Sequence, residues 1–195
     1  MIYIIRHMEK ERHEPVSEGQ SYAEYTRTIG LTPAGAARAL RVADFFAHRA
    51  HVRRIVSSDF RRALQTAEII GKTLNVHVEV DDRLGERVLC NDGTTTEQID
   101  RYNRKSLADW SWRAPGGESM NEVSDRLSAA ITMLDDDPTG DTLLISHSRA
   151  IQAYAGRTDN DNALHYTSSD PSIIIPYGMI LGISNNIVRT VSRVE

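Results

Sequence analysis

The sequence predicts a three-layer α/β fold, with a mostly parallel central sheet flanked by helices on both faces. Three observations predict it. Short apolar runs, Met1–Ile5 and Thr142–Ile145 foremost, stop at polar residues without an intervening turn residue, which fits strands buried on both faces. Segments of helical spacing alternate with these runs, the pattern of a layered α/β protein. Two of the runs also end alike, the first in Arg6-His7 and the later one in Ser146-His147. Open α/β sheets form their ligand crevice at such strand ends.

Taken in order, the first strand ends by presenting Arg6 and His7. Lys10 to Gly30 is a polar stretch too long for a plain connection, so it is expected to be functional or to hold a short helix. Thr32 as N-cap and Pro33 at the first helical position open a helix that continues through Leu40, Val42, Ala43 and Phe46 to about Ala50. Arg54–Ser57 reads as a second strand and Ser58–Leu74 as a second helix, with Ser58 or Asp59 the expected cap. Val76–Val80 is a third strand signal, and Asp81–Gly93 is polar and irregular. Helical spacing resumes over Thr96–Asp109 and Ser119–Leu134, around the turn Pro115-Gly116-Gly117. Asp141–Ser146 is another buried strand, followed by His147 and a helix through Tyr154. Met179–Ile183 and Ile187–Val194 form a closing hairpin over Asn185-Asn186. No internal repeat or linker divides the chain, so one domain over residues 1–195 is expected.

Composition narrows the function classes. A chain of 195 residues, 40% hydrophobic and 26% charged, suits one soluble domain with a substantial core. The net charge of -4 gives no reason to expect nucleic acid or an acidic membrane, so an anion site must be a local basic cluster. Cys90 is the only cysteine, which excludes an intrachain disulfide and a cysteine-based zinc site. No run approaches a transmembrane span, and the apolar start is too short for a signal-peptide core. A cytoplasmic, reducing location is therefore the expectation. Oligomeric state is not legible.

Several junctions carry reactive residue types. Arg6 offers a rigid fork of donors for a phosphate or carboxylate, and His7 an imidazole able to act as acid, base or nucleophile. Ser57-Ser58-Asp59-Phe60-Arg61-Arg62 follows a strand and starts a helix, whose free N–H groups favour an anion. Arg61 and Arg62 fall in the first turn, where the helix dipole disfavours a cation. A bound anion between them would resolve that conflict for one of the pair. Asp82-Arg83-Leu84-Gly85-Glu86 places a carboxylate on a loop after a strand, and Ile145-Ser146-His147-Ser148 ends a strand in a second histidine.

Together, Arg6-His7, Ser57-Ser58-Asp59 with Arg62-Ala63 and Gln65-Thr66-Ala67, Leu84-Gly85-Glu86, Gly117-Glu118-Ser119 and Ser146-His147 resemble the histidine phosphatase superfamily. That superfamily includes the cofactor-dependent phosphoglycerate mutases, and Leu31-Thr32-Pro33-Ala34-Gly35 is similar to its helix opening. The resemblance spans nearly the whole chain. It implies His7 as a nucleophile forming a phosphohistidine, with Arg6, Arg62 and His147 holding the phosphoryl group and Glu86 as general acid. The residue types suit that chemistry, since phosphoryl transfer is mostly positioning and neutralisation of oxygens. No metal or other cofactor is expected, because arginines supply the positive charge.

The chain departs from the family pattern at two places. Met8 and Ser148 stand where glycine usually follows each histidine, Met8 being expected to point into the core. Lys10, His13, Arg87 and Ser148 are candidate substrate contacts, while Trp110 and Trp112 are read as core anchors. The expectation is a metal-independent phosphomonoesterase acting on a small phosphorylated metabolite. Alternatives are a phosphoglycerate-mutase-type phosphotransferase, suggested by Leu84-Gly85-Glu86-Arg87, a protein phosphatase, or a degenerate phospholigand-binding sensor. The chain is short for a mutase, leaving little material for a lid that excludes water.

Overall fold

The computed structural model describes residues 1–12, 21–90, 95–134, 140–158, 174–184 and 187–195. In chain order the elements are β1 (Ile2–Arg6), α1 (Tyr22–Thr28), α2 (Pro33–Arg49), β2 (Val52–Ser57), α3 (Arg61–Leu74), β3 (Val78–Val80), a 3-10 turn (Asp82–Leu84), α4 (Thr96–Ala108), α5 (Met120–Thr132), β4 (Asp141–Ser146), α6 (Ser148–Thr158), β5 (Met179–Ser184) and β6 (Ile187–Arg193). They build one six-stranded sheet in the order β3-β2-β4-β1-β5-β6. The first four strands of that order run parallel, and β5 and β6 add an antiparallel edge.

The continuous apolar runs do become strands covered on both sides. Ile2, Ile4, Val56, Leu144 and Leu181 face α5 and α6, meeting Val123, Leu127, Ile131, Ile151 and Tyr154. Ile5, Ile55, Leu143, Ile145 and Ile180 face α2 and α3, meeting Val42, Phe46, Ala63, Ala67 and Ile70. Successive strand residues thus feed opposite cores, as the two-residue period of a strand requires. Each fully buried Ile or Leu contributes roughly 1.5–3 kcal/mol, so these three layers dominate the stability.

Local chemistry sets the helix starts. The Thr32 hydroxyl accepts from Gly35 N at 2.9 Å with Pro33 leading α2. Ser119 and Glu122 form a reciprocal capping box on α5. The start of α3 differs from expectation. Its N-cap is Phe60, which has no side chain to offer the helix N–H groups, while Ser58 and Asp59 have other partners. Within the polar stretch after Lys10, the short helix α1 forms behind a Ser21 cap. His13 lies outside the described residues, as does the hairpin tip at Asn185-Asn186. Among the described residues no helix is long and apolar enough to cross a membrane.

Candidate active site

The three central parallel strands finish level with one another. Arg6 stands opposite Ser146 and Ser57 opposite Ile145. The pairing runs one residue further, with His7 N donating to Ser146 O at 2.9 Å and Ser58 N donating to Ile145 O at 3.0 Å. His7, Ser58 and His147 are thereby set side by side at the carboxyl edge of the sheet. Both imidazoles are buried, at 2% and 0% exposure, with ring centroids 5.1 Å apart.

Hydrogen-bond logic assigns the ring protons. His7 Nδ1 lies 2.7 Å from the carbonyl of Met8, which can only accept, so Nδ1 carries the proton and Nε2 keeps its lone pair. Arg62 Nε donates to that Nε2 at 3.0 Å. Arg62 Nη2 lies 3.2 Å from His147 Nδ1, and a guanidinium can only donate. His147 therefore carries its proton on Nε2, which donates to Ser58 Oγ at 2.8 Å. The third arm, Arg62 Nη1, donates to Thr26 O of α1 at 2.5 Å. Thr66 locks this helix to the loop that follows His7. Its hydroxyl donates to Arg62 O at 2.8 Å and accepts from Met8 N at 3.1 Å.

Arg6 closes the other side. Its Nη1 donates to Ile175 O at 2.8 Å, and its guanidinium lies 3.9 Å over the ring of Tyr177. Arg6 Nε is buried with no hydrogen-bond partner. A buried, unmatched donor beside two other cations is an unfavourable arrangement unless an anion completes it. The Glu86 carboxylate acts electrostatically on both Arg6 and Arg62, and its Oε1 accepts from Arg87 N at 3.0 Å and Ala150 N at 3.3 Å.

Burial and positive neighbours set the proton affinities. Desolvation first, then Arg62, hold both His7 and His147 well below the usual histidine value, so both rings are neutral near pH 7. Desolvation also lowers Arg62 to about 10, where it still carries its charge. Lys10 is brought to the same cluster, where desolvation and the charges of Arg62 and Arg6 lower it to about 8.

The remaining candidates divide. Met8 is fully buried in the core against α2 and α3, as expected. The Ser148 hydroxyl accepts from Ile175 N at 2.8 Å, and Ile175 O in turn holds Arg6, so this serine supports the cluster through one residue of backbone. Arg87, a candidate substrate contact, is turned toward α4. Its two terminal nitrogens donate to Ser106 and Asn103 of α4, which places its charge in a buried structural bond. Arg61 is exposed while Arg62 is buried. Trp110 and Trp112 are partly buried against separate apolar clusters. Sequence reasoning missed Tyr177, the Thr26 carbonyl and the Ser58–His147 bond. Tyr177 and Thr26 come from distant segments with no motif, and Ser58 read more simply as a helix cap.

The comparisons with known proteins place this arrangement in a family. A family model described as histidine phosphatase superfamily (branch 1) matches residues 2–167. The chain belongs to the histidine phosphatase superfamily. A protein of Escherichia coli O1:K1 named probable phosphoglycerate mutase GpmB is 34% identical over 77% of this chain and 70% of its own length. The same-named protein of Salmonella choleraesuis is 32% identical over the same shares. Among solved structures, the mycobacterial glucosyl-3-phosphoglycerate phosphatase with inorganic phosphate superposes with a TM-score of 0.73 at 24% identity, covering 100% of this chain and 96% of that one. A putative alpha-ribazole-5'-P phosphatase of Escherichia coli gives a TM-score of 0.69 at 17% identity, covering 100% and 95%. At these identities the solved structures speak for the superfamily fold alone.

Proposed function

We propose that the protein is a metal-independent phosphomonoesterase that works through a phosphohistidine on a small phosphorylated metabolite. The observation that carries this reading is the unprotonated His7 Nε2, which accepts from Arg62 Nε at 3.0 Å in the same cluster as the unpartnered Nε of Arg6. In the first step the Nε2 lone pair forms a bond to phosphorus as the ester P–O bond breaks. The leaving alkoxide takes the proton of Glu86. Arg6 and Arg62 hold the equatorial oxygens, His147 joins them by taking up a proton on Nδ1 as the dianion binds, and the Met8 carbonyl stabilises the charge that develops on the His7 imidazole through Nδ1–H. In the second step water attacks phosphorus, its proton returns to Glu86 and the P–N bond breaks. His7 is restored neutral and inorganic phosphate leaves. Lys10, at the edge of this cluster, is assigned to the substrate.

A mutase-type transfer is the second reading, and the name of the curated relatives favours it. The two readings diverge only at the phosphohistidine, which passes its phosphoryl group to water or to a second alcohol. The deciding experiment supplies a panel of phosphorylated metabolites and measures inorganic phosphate beside the isomerised ester. Stoichiometric phosphate release supports the phosphatase, and isomerisation without release supports the mutase. No turnover and no labelling with any member, despite tight phosphate binding, would leave a phospholigand sensor.

A further inference from the structure

Glu86 lies in a stretch that is neither helix nor strand, so no backbone ladder fixes its position. Arg126, on α5, takes over that task. Its Nη1 donates to the carbonyls of Arg83 at 2.7 Å and Gly85 at 2.9 Å, and its Nη2 to the carbonyl of Glu86 at 3.2 Å. The remaining two N–H groups go to Glu118, from Nε to Oε1 at 2.7 Å and from Nη2 to Oε2 at 3.0 Å. All of the guanidinium donors are thereby used, a set of directions that a lysine ammonium cannot reproduce. Glu118 also grips the loop beyond the acid. Its Oε2 accepts from Val88 N at 2.8 Å, and its own N–H donates to Val88 O at 2.7 Å. The turn before it fits closely, since a Cβ on Gly117 would come within 2.2 Å of Leu89 O.

One ion pair thus holds three carbonyls up to and including that of Glu86 and the backbone of Val88 beyond it. We propose that Arg126, oriented by Glu118, is a positioning residue that sets the Glu86 carboxyl for proton transfer to the leaving group. This rests on the reading of Glu86 as general acid. Such an acid must stay within hydrogen-bond reach of the leaving oxygen, and a displacement of about 1 Å is enough to cost on the order of a hundredfold. The interaction is part-buried, with 20% and 26% of the two side chains exposed. It touches neither histidine among its bonds to described residues.

A positioning role predicts a loss that depends on the leaving group. The probes are β-glycerophosphate, whose alkoxide needs a proton, and 2,4-dinitrophenyl phosphate, whose phenolate leaves without one. The readout is kcat/KM, which covers only the steps through formation of the phosphohistidine. Arg126→Lys and Glu118→Gln are expected to lower it about tenfold or more on the first ester and less than about threefold on the second. Glu86→Gln should show the same selectivity at larger size. Equal losses on both esters in the Arg126 and Glu118 variants, or no loss on either, would overturn the positioning role while a selective Glu86→Gln leaves the acid in place. A Glu86→Gln that loses both esters equally would instead overturn the acid, and the positioning role with it. Glu118→Gln keeps the test open if the Arg126 variant fails to fold.

Discussion

Arg62 Nε donates to His7 Nε2 at 3.0 Å, so a buried cation faces the unprotonated nitrogen of the first histidine. The contact keeps the imidazole in its acceptor form and orients its lone pair. It also places a cation in the first turn of α3, against the positive end of the helix dipole and beside Arg6. Within the fold, Glu86 offsets part of this concentration of charge. A phosphoryl dianion lying between Arg6, Arg62 and His147 would make each of these placements favourable together.

The neighbouring arginines give the sharpest contrast. Successive helix residues point about 100° apart, and here Arg61 is exposed while Arg62 is 4% exposed. Arg62→Ala should lower kcat/KM by on the order of a hundredfold, about 3 kcal/mol of transition-state stabilisation. Arg61→Ala should change it only a few-fold, and added salt should erase that difference. A larger effect for Arg61 would mean that its register relative to the pocket is wrong.

The neutral histidines should make the fold sensitive to mild acid. Their folded-state proton affinities lie well below 6.5, whereas in the unfolded chain each binds a proton near that value. The unfolded state therefore holds more protons below about pH 6.5, and stability falls as the pH drops through that window. Each histidine contributes a slope of up to about 1.4 kcal/mol per pH unit. Urea midpoints compared between pH 7.5 and 5 should show a shallower decline in His147→Gln than in the parent. An unchanged slope would contradict the neutral assignment.

Gly35 offers a test in which packing and propensity disagree. Alanine normally stabilises a helix by about 1 kcal/mol over glycine. At Gly35 the new Cβ would come within 2.1 Å of Glu9 O, in the loop that leaves His7. Gly35→Ala is expected to destabilise by about 1–3 kcal/mol, as other overpacked sites do, and to lower turnover by moving that loop. A raised melting temperature would show that the loop yields without cost.

Chelation tests where the positive charge comes from. If Arg6, Arg62 and His147 carry the electrostatic stabilisation, turnover should survive prolonged EDTA treatment unchanged. Loss on chelation, restored by a divalent ion, would reassign the histidines as ligands.

The fold was legible because its signals were local and redundant. Apolar runs without turn residues, Thr32-Pro33 at one helix start and the helical spacing after Pro115-Gly116-Gly117 each specify their element within a short stretch of chain. The histidines were legible for the same reason, as strand-terminal residues. Phe60 as the α3 N-cap was not, because Ser58 and Asp59 looked like caps until the second histidine and Arg27 claimed them. The bonds that Arg87 makes were not legible either. Its motif suggested substrate, but its partners Ser106 and Asn103 lie on a helix that no local pattern links to that loop. Tyr177 stacks on Arg6 from far along the chain, and only tertiary structure brings the two together.

The most direct measurement is the site of phosphorylation during turnover. Rapid acid-free quenching with a 32P-labelled ester, followed by peptide mapping, should recover an acid-labile, base-stable phosphoryl group on His7. His7→Ala should abolish both label and turnover, while His147→Ala should reduce both. Label on a serine or an aspartate, or full turnover without His7, would contradict the account.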